Sequence, residues 1–298
     1  MNAFVWRIAA LLLAITSGTL QAQADLKLDV PYGPTSYTTV DAMLRIAHVS
    51  ARDFVIDLGS GDGRINIAAA RDFSAAGIGF DLDPELIKLS HRNARLAGVE
   101  KRVEFREENL FDADLSRASV VTLYLGPEVT PRVAPKLLSQ LKPGARLVSH
   151  HFRFSDWPPD LVVNGREHGA VVYFWWVPAK VAGIWRSSTL GSSASEPAPQ
   201  YVLDVRQHYQ ALDGDARIEA SNTRITLRDA RLEGTRLQFW LQEQRNSDFS
   251  FKRFSGRVEG DTMIGHFRTE DSPSEIPVRF TRSVRAEPGP AGAWNYRR

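Results

Sequence analysis

The chain has 298 residues, 43% of them hydrophobic and 24% charged, with a formal net charge of +2. This is ordinary globular composition, long enough for one large domain or two smaller ones. The absence of cysteine excludes disulfides, zinc-thiolate sites and cysteine nucleophiles. The 30 arginines and 7 lysines are interspersed with acids and form no long basic run, so nucleic acid is not an expected partner.

The first 24 residues read as a secretory leader. Arg7 supplies a positive start, Ile8 to Ile15 is unbroken apolar sequence, and Ala22-Gln23-Ala24 matches the A-x-A pattern of signal peptidase sites. The apolar run is well short of the roughly 20 residues a spanning helix needs. No cysteine follows, which rules out a lipoprotein anchor. The expectation is an exported, periplasmic protein; an uncleaved inner-membrane anchor is the alternative. No later segment is apolar enough to cross a bilayer.

From Thr35 to Ala47, Val40, Leu44 and Ala47 recur at helical spacing and predict a short lead-in helix. Beyond it, apolar runs at Phe54–Leu58, Ile78–Phe80, Val103–Phe105, Val120–Leu125 and Arg146–Val148 alternate with helical patterns at Arg64–Phe73, Pro84–Leu96 and Glu128–Leu141. Such alternation predicts an α/β fold with a parallel sheet covered on both faces. Leu161–Val163 and Ala170–Val177 flank Asn164-Gly165, a hairpin signal.

After Pro178 the character changes. Ser187 to Gln200 is a Ser/Gly/Ala/Pro-rich loop, and short alternating strands then dominate up to Thr281. A similar turn recurs at Leu212-Asp213-Gly214-Asp215, Leu232-Glu233-Gly234-Thr235 and Val258-Glu259-Gly260-Asp261, each expected to put a glycine between two strands. The segment predicts a small all-β antiparallel barrel or sandwich. The expected organisation is a leader at 1–24, an α/β domain at 25–180, a separately folding β domain at 181–285 and a flexible Pro/Gly-rich tail at 286–298.

The chemistry-bearing stretch is Phe54-Val55-Ile56-Asp57-Leu58-Gly59-Ser60-Gly61-Asp62-Gly63-Arg64. A strand enters a glycine-rich turn that opens a helix, where backbone N–H groups face a ligand and glycine allows close approach. Counted from Gly59, the third glycine of the dinucleotide fingerprint is replaced by Arg64. The pattern is D-x-G-x-G-x-G instead, in which Asp57 suits a cationic ligand end where a phosphate loop would avoid an acid. Asp81 closes the next strand, about 20 residues on, where an acid accepts hydrogen bonds from both ribose hydroxyls; the competing role, helix N-cap, suits Asp83 better. Asn109, after the third strand, either bonds an adenine amino group through its carbonyl or is a plain turn residue.

With Asp57–Arg64 and Asp81 in view, the chain resembles the class I S-adenosylmethionine (SAM) dependent methyltransferases over about residues 35 to 178. It also resembles a bacterial group sharing counterparts of Val30-Pro31-Tyr32-Gly33-Pro34-Thr35, Val121-Thr122-Leu123-Tyr124-Leu125, Lys142-Pro143-Gly144, Ser149-His150, Asp156-Trp157 and Val177–Gly183. That group is similar to the mitochondrial lysine methyltransferases acting on the ATP synthase c-subunit and the adenine nucleotide translocase, through Pro34, Asp57–Ile65 and the Phe152/Trp157 region. Two features depart from them: Asn109 stands where an Asp is usual, and the β-rich C-terminal region has no counterpart in the mitochondrial enzymes.

The resemblance implies a Rossmann-like seven-stranded sheet that an antiparallel hairpin closes, SAM as cofactor, and SAM contacts from Asp57, Gly59, Ser60, Gly61, Gly63, Asp81 and Asn109. It further implies methyl transfer to a protein lysine, with a membrane-associated acceptor. Tyr124, at the end of strand 4 where this fold places the acceptor, is the catalytic candidate; core packing is its other reading. Phe152 and Trp157 would extend an apolar wall, and Tyr32 and Tyr37 are candidates for a lid. No metal is expected, because His150 and His151, as neighbours on a strand, would point to opposite faces; a structural or substrate-lining role is expected of them instead. Phe174-Trp175-Trp176 reads as sheet core. Since SAM is made in the cytoplasm, export also leaves open a second class, a periplasmic SAM- or nucleoside-binding module without transferase activity.

Overall fold

The computed structural model describes residues 32–165, 169–189, 199–245, 248–270 and 272–286. The leader at 1–24 and the tail beyond Ala286 lie outside them. Among the described residues no helix is long and apolar enough to cross a membrane.

The α/β region is a seven-stranded sheet in the order β3-β2-β1-β4-β5-β7-β6. Its strands are β1 (Phe54–Leu58), β2 (Ala76–Asp81), β3 (Val103–Glu107), β4 (Val120–Leu123), β5 (Arg146–His150), β6 (Leu161–Asn164) and β7 (Val171–Trp176). The first five run parallel, and β7 is antiparallel to both β5 and β6. The strand order reverses at β1, so the C-terminal ends of β1 and β4 flank a crevice, the usual ligand position in open α/β sheets.

Helices α1 (Tyr37–Ile46), α2 (Arg64–Phe73), α3 (Pro84–Leu96) and α4 (Gly126–Gln140) complete this region. Ser36 caps α1 by accepting a hydrogen bond from the Thr39 N–H at 3.2 Å. Val40, Met43 and Leu44 of α1 are fully buried, in one cluster with Val148 of β5 and with Val172 and Phe174 of β7. The β6–β7 connection is longer than a two-residue turn. Asn164 pairs with Val171, and the Gly165 N–H donates to the Ala170 carbonyl, so Asn164-Gly165 opens the loop rather than forming it.

The second sheet is a closed eight-stranded antiparallel barrel, β10-β11-β12-β13-β14-β15-β8-β9. Its strands are β8 (Gly183–Thr189), β9 (Tyr201–His208), β10 (Ala211–Ile218), β11 (Arg224–Glu233), β12 (Arg236–Arg245), β13 (Asp248–Glu259), β14 (Thr262–Thr269) and β15 (Ser272–Arg285). Phe239, Phe254, Phe267 and Phe280 fill its interior, with Phe239 and Phe254 stacked at 4.8 Å. Two of the three expected glycine turns connect strands: Gly234-Thr235 between β11 and β12, and Gly260-Asp261 between β13 and β14. The third does not. Leu212 to Asp215 lie inside β10, paired with β9, and the register slips against β11 between Ala211 and Asp215. The turn instead falls at Tyr209-Gln210, where Tyr209 takes a φ of 52°. A glycine in a strand marks a bulge or close backbone approach as readily as a turn; a Cβ on Gly214 would lie 2.4 Å from the Asp204 carbonyl oxygen.

Chain around residue 180 is buried rather than an exposed linker. Ala179 and Val181 belong to the barrel's core cluster. The Gln207 side chain accepts the Val181 N–H at 2.6 Å and donates to the Ala179 carbonyl at 2.8 Å. On the sheet side, Trp157 stacks on Tyr209 with rings 5.3 Å apart and donates its indole N–H to Gln210 at 2.9 Å. Both sheets fall in one compact unit.

Candidate active site

The loop between β1 and α2 takes the conformation its glycines permit. Gly59, Gly61 and Gly63 have φ of 76°, 54° and 81°, a region that side chains disfavour. The Gly59 and Ser60 N–H groups both donate to the Phe80 carbonyl, fastening the loop to β2. The Gly61 N–H donates to Asp81 Oδ2 at 2.7 Å, and the Asp83 N–H donates to Oδ1 at 3.0 Å. Asp81 therefore braces the loop from the end of β2, while Asp83 caps α3 by accepting from Glu85 and Leu86. The Glu108 N–H donates to the Asp81 carbonyl, which brings the end of β3 alongside. Asn109 sits there as a turn residue: its side-chain oxygen, the atom expected to face an adenine amino group, accepts the Phe111 N–H at 3.0 Å.

Asp57 ends up buried at the floor of the crevice. Its Oδ1 accepts a hydrogen bond from the Thr122 hydroxyl on β4 at 2.7 Å. Loss of hydration pushes its carboxyl up to about 7, helped by the nearby Asp81 and Asp62 carboxylates and opposed by Thr122. Ser60 is also buried, and among the described residues its hydroxyl has no hydrogen-bond partner. A glycine cradle, an orphaned buried hydroxyl and a buried carboxyl whose hydrogen bond comes from a neutral group fit a polar ligand with a cationic end.

The lead-in segment crosses this loop. A Cβ on Gly61 would come within 2.7 Å of the Tyr32 ring, so that ring lies over the glycine. Arg64 grips Asp62 with two hydrogen bonds, at 2.9 and 2.7 Å, and donates to the Thr35 carbonyl at 2.6 Å. Its guanidinium also sits over the Tyr37 ring at 5.1 Å. The Thr35 hydroxyl reaches His150 Nδ1 at the end of β5, 3.1 Å away.

Beyond β4, the half-buried Tyr124 ring lies 4.3 Å from His150 and stacks near-parallel on Phe152 at 5.8 Å. Strand β5 ends at His150, and His151 takes a φ of 66°. His150 and His151 therefore do not alternate across a strand, and their rings are 6.2 Å apart. Among the described residues no group of three or more His, Asp or Glu gathers to hold a metal ion. Trp157 leaves the expected wall. It is buried against Phe154, Trp175 and Tyr209 at the junction with the barrel. Phe174 and Trp175 are core, as their sequence suggests, whereas Trp176 is half-buried with the Arg236 guanidinium over its ring at 5.5 Å.

Residues 57–161 match the family model of the ANTKMT methyltransferase domain. A protein-lysine N-methyltransferase of Saccharolobus islandicus is 44% identical over 136 residues, covering 45% of this chain and 84% of that protein. The chain belongs to the class I SAM-dependent methyltransferases. It is also similar to the ATP synthase c-subunit lysine N-methyltransferase of Xenopus laevis, 36% identical over 47% of this chain and 61% of that protein. The mouse adenine nucleotide translocase lysine N-methyltransferase is 34% identical over 47% of this chain and 60% of its own length. The chain thus spans about three-fifths of these two relatives. A solved RNA methyltransferase from Salinibacter ruber, bound to S-adenosyl-L-homocysteine, is 48% identical, covers 50% of this chain and 96% of its own, and has a TM-score of 0.49. The matches to these four proteins each cover about half of the methyltransferase chain.

Two participants in the site, Thr122 and Thr35, escaped the sequence reading. Thr122 was legible as the one hydroxyl in the strand Val120-Val121-Thr122-Leu123. Thr35 and His150 are 115 residues apart, and no local pattern joins them.

Proposed function

We propose that this methyltransferase transfers the SAM methyl group to the ε-amine of a lysine on a membrane-associated protein. The observation that carries this reading is the half-buried aromatic cluster of Tyr124, His150 and Phe152, set at the ends of β4 and β5 beside the glycine loop. A lysine amine, with an ordinary pKa of about 10.4, is neutral in only about one molecule in two thousand at pH 7. Reaching the neutral nucleophile costs about 4–5 kcal/mol unless desolvation lowers that pKa. Aromatic walls desolvate the amine and favour the adjoining sulfonium through cation–π attraction.

In this reading Gly61 lets the backbone approach SAM, Gly59 and Gly63 let the loop close on Leu125, Phe105 and Ser90, whose side chains a Cβ would meet, and the Ser60 hydroxyl finds its partner at SAM. Asp57 faces the cationic methionyl end, Asp81 accepts the ribose hydroxyls on its remaining lone pairs, and Asn109 borders the adenine. SAM supplies an electrophilic methyl whose sulfonium leaves as a neutral thioether. The protein's share is to align the amine at about 3–3.5 Å, with Tyr124 as positioning wall, and to exclude water.

The acceptor class is supported by relatives whose names specify lysine methylation of the ATP synthase c-subunit and of adenine nucleotide translocase. The leader-like run Ile8–Ile15 with Ala22-Gln23-Ala24 supports delivery of the domain to a membrane. Mass spectrometry of membrane proteins from wild-type and deletion strains tests the proposal. A lysine that loses methylation on deletion is expected; loss confined to a small molecule or lipid would overturn the lysine reading and leave the methyltransferase class intact.

A further inference from the structure

Strand alternation sends every second residue of β11 to β15 to the barrel exterior, and the register there aligns arginines that are scattered in sequence. One cross-strand row runs Arg228, Trp240, Arg253, Arg268. A second runs Arg236, Arg257, Ile264, Arg279. Arg253 directly opposes Arg268, and Arg236 directly opposes Arg257, although like charges facing each other across strands are destabilising. Carboxylates neutralise only part of the face: Glu275 pairs with Arg268 at 2.8 Å and Glu233 with Arg236 at 3.3 Å. Arg253 instead donates to Gln238 and sits over the Trp240 ring at 5.9 Å. Among the described residues, Arg228, Arg257 and Arg279 have no ion pair.

Large apolar side chains project from the same face. Ile264, between Arg257 and Arg279, is 41% exposed, and Phe249 on β13 is 55% exposed. We propose that this face of the barrel docks on a bilayer containing anionic phospholipid, with guanidinium groups on the headgroup phosphates and Ile264 and Phe249 entering the interface. Guanidinium forks bind phosphate oxygens in pairs, and basic residues beside projecting apolar ones make the usual interfacial pattern. Single-stranded nucleic acid is the other polyanion to weigh. Its binders use a charged groove with stacking aromatics, whereas this face is the convex wall of a closed barrel, carries an aliphatic side chain between its arginines, and has its Trp240 ring under Arg253. The inference does not depend on the identity of the methyl acceptor.

The test is co-sedimentation of the full chain with phosphatidylcholine vesicles, with and without phosphatidylglycerol. Any apolar N-terminal contribution acts on both lipids, so the ratio between them is the readout. Each basic residue near an anionic surface strengthens binding about fivefold. The double substitution Arg253→Gln with Arg257→Gln should therefore cut the preference for anionic vesicles about 25-fold. The Arg253→Lys, Arg257→Lys pair should keep most of it, because the charge remains. Ile264→Ser should weaken binding to the anionic vesicles while leaving the melting temperature unchanged. Equal binding to both lipids, or an Arg-to-Gln pair that keeps the preference with its fold intact, would overturn the proposal. So would displacement of bound vesicles by a single-stranded oligonucleotide that binds more tightly at the same ionic strength.

Discussion

Asp57 is the residue where burial and ligand charge meet. Its folded-state carboxyl is raised to about 7 by desolvation, against an ordinary value of 3.8. A raised carboxyl favours the folded state below the unfolded pKa, and that contribution is lost as pH rises from about 4 through about 7. A cationic ligand prefers the ionised form, so SAM affinity should follow the opposite course. It should be highest above pH 7 and fall by up to about tenfold per unit below it. Calorimetric titration across that range measures this, and Asp57→Asn should flatten the profile; a wild-type profile already flat would remove Asp57 from the methionyl end. At the neighbouring carboxylate, loss of a charge-assisted bond is worth about 1.5–3 kcal/mol, so Asp81→Ala should weaken SAM about 10- to 150-fold. The Gly61 N–H loses its acceptor in the same variant, so the loop loosens as well. Unchanged affinity would withdraw the ribose assignment. Tyr124→Ala should lower kcat far more than it changes SAM affinity, since an acceptor wall acts on transfer and not on cofactor binding.

At the scale of elements, the legible parts were those with local signals. The α2 and α3 bounds follow from apolar spacing, with Pro84 opening α3 and Asp83 capping it. The glycine loop could be placed because its sequence demands positive φ. The Leu212–Asp215 segment misled because Asp-Gly suits a turn and a bulge alike, and only pairing with both neighbours distinguishes them. Trp157 misled because its position after β5 suggests the crevice, whereas its neighbours Tyr209 and Gln210 lie more than 50 residues away and are invisible locally. The loop at 151–160 carries no helix, and the Tyr209-Gln210 turn of the barrel covers the sheet there instead. A chain ending near Val177, self-sufficient on the two-domain reading, would strip cover from Trp157 and Trp175. It should melt well below the full chain or aggregate, as circular dichroism and light scattering would show. A truncated protein with the parent's melting temperature would restore an independent α/β domain.

For the whole molecule, the consequence is that the cofactor-binding sheet and the barrel should share one unfolding transition. The segment from Val177 to Ala182 is clamped at both ends: the Gly144 N–H donates to the Val177 carbonyl, and Gln207 accepts the Val181 and Ala182 N–H groups. Ala179 also donates to the Gly234 carbonyl in the β11–β12 turn, where a Cβ on Gly234 would lie 2.9 Å from Gly144. Opening the barrel would therefore expose buried tryptophan and backbone on the sheet side as well. A ligand bound only to the native state stabilises it by RT ln(1 + [L]/Kd), about 2.7 kcal/mol at a hundredfold excess over Kd. If the two sheets unfold together, SAM should shift the whole calorimetric endotherm upward as one peak. Trp185, buried in the barrel and donating to the Val181 carbonyl, should report the same midpoint as probes of the sheet. Two peaks, with only one moved by SAM, would show that the barrel melts independently and that the clamped segment does not couple it to the active site.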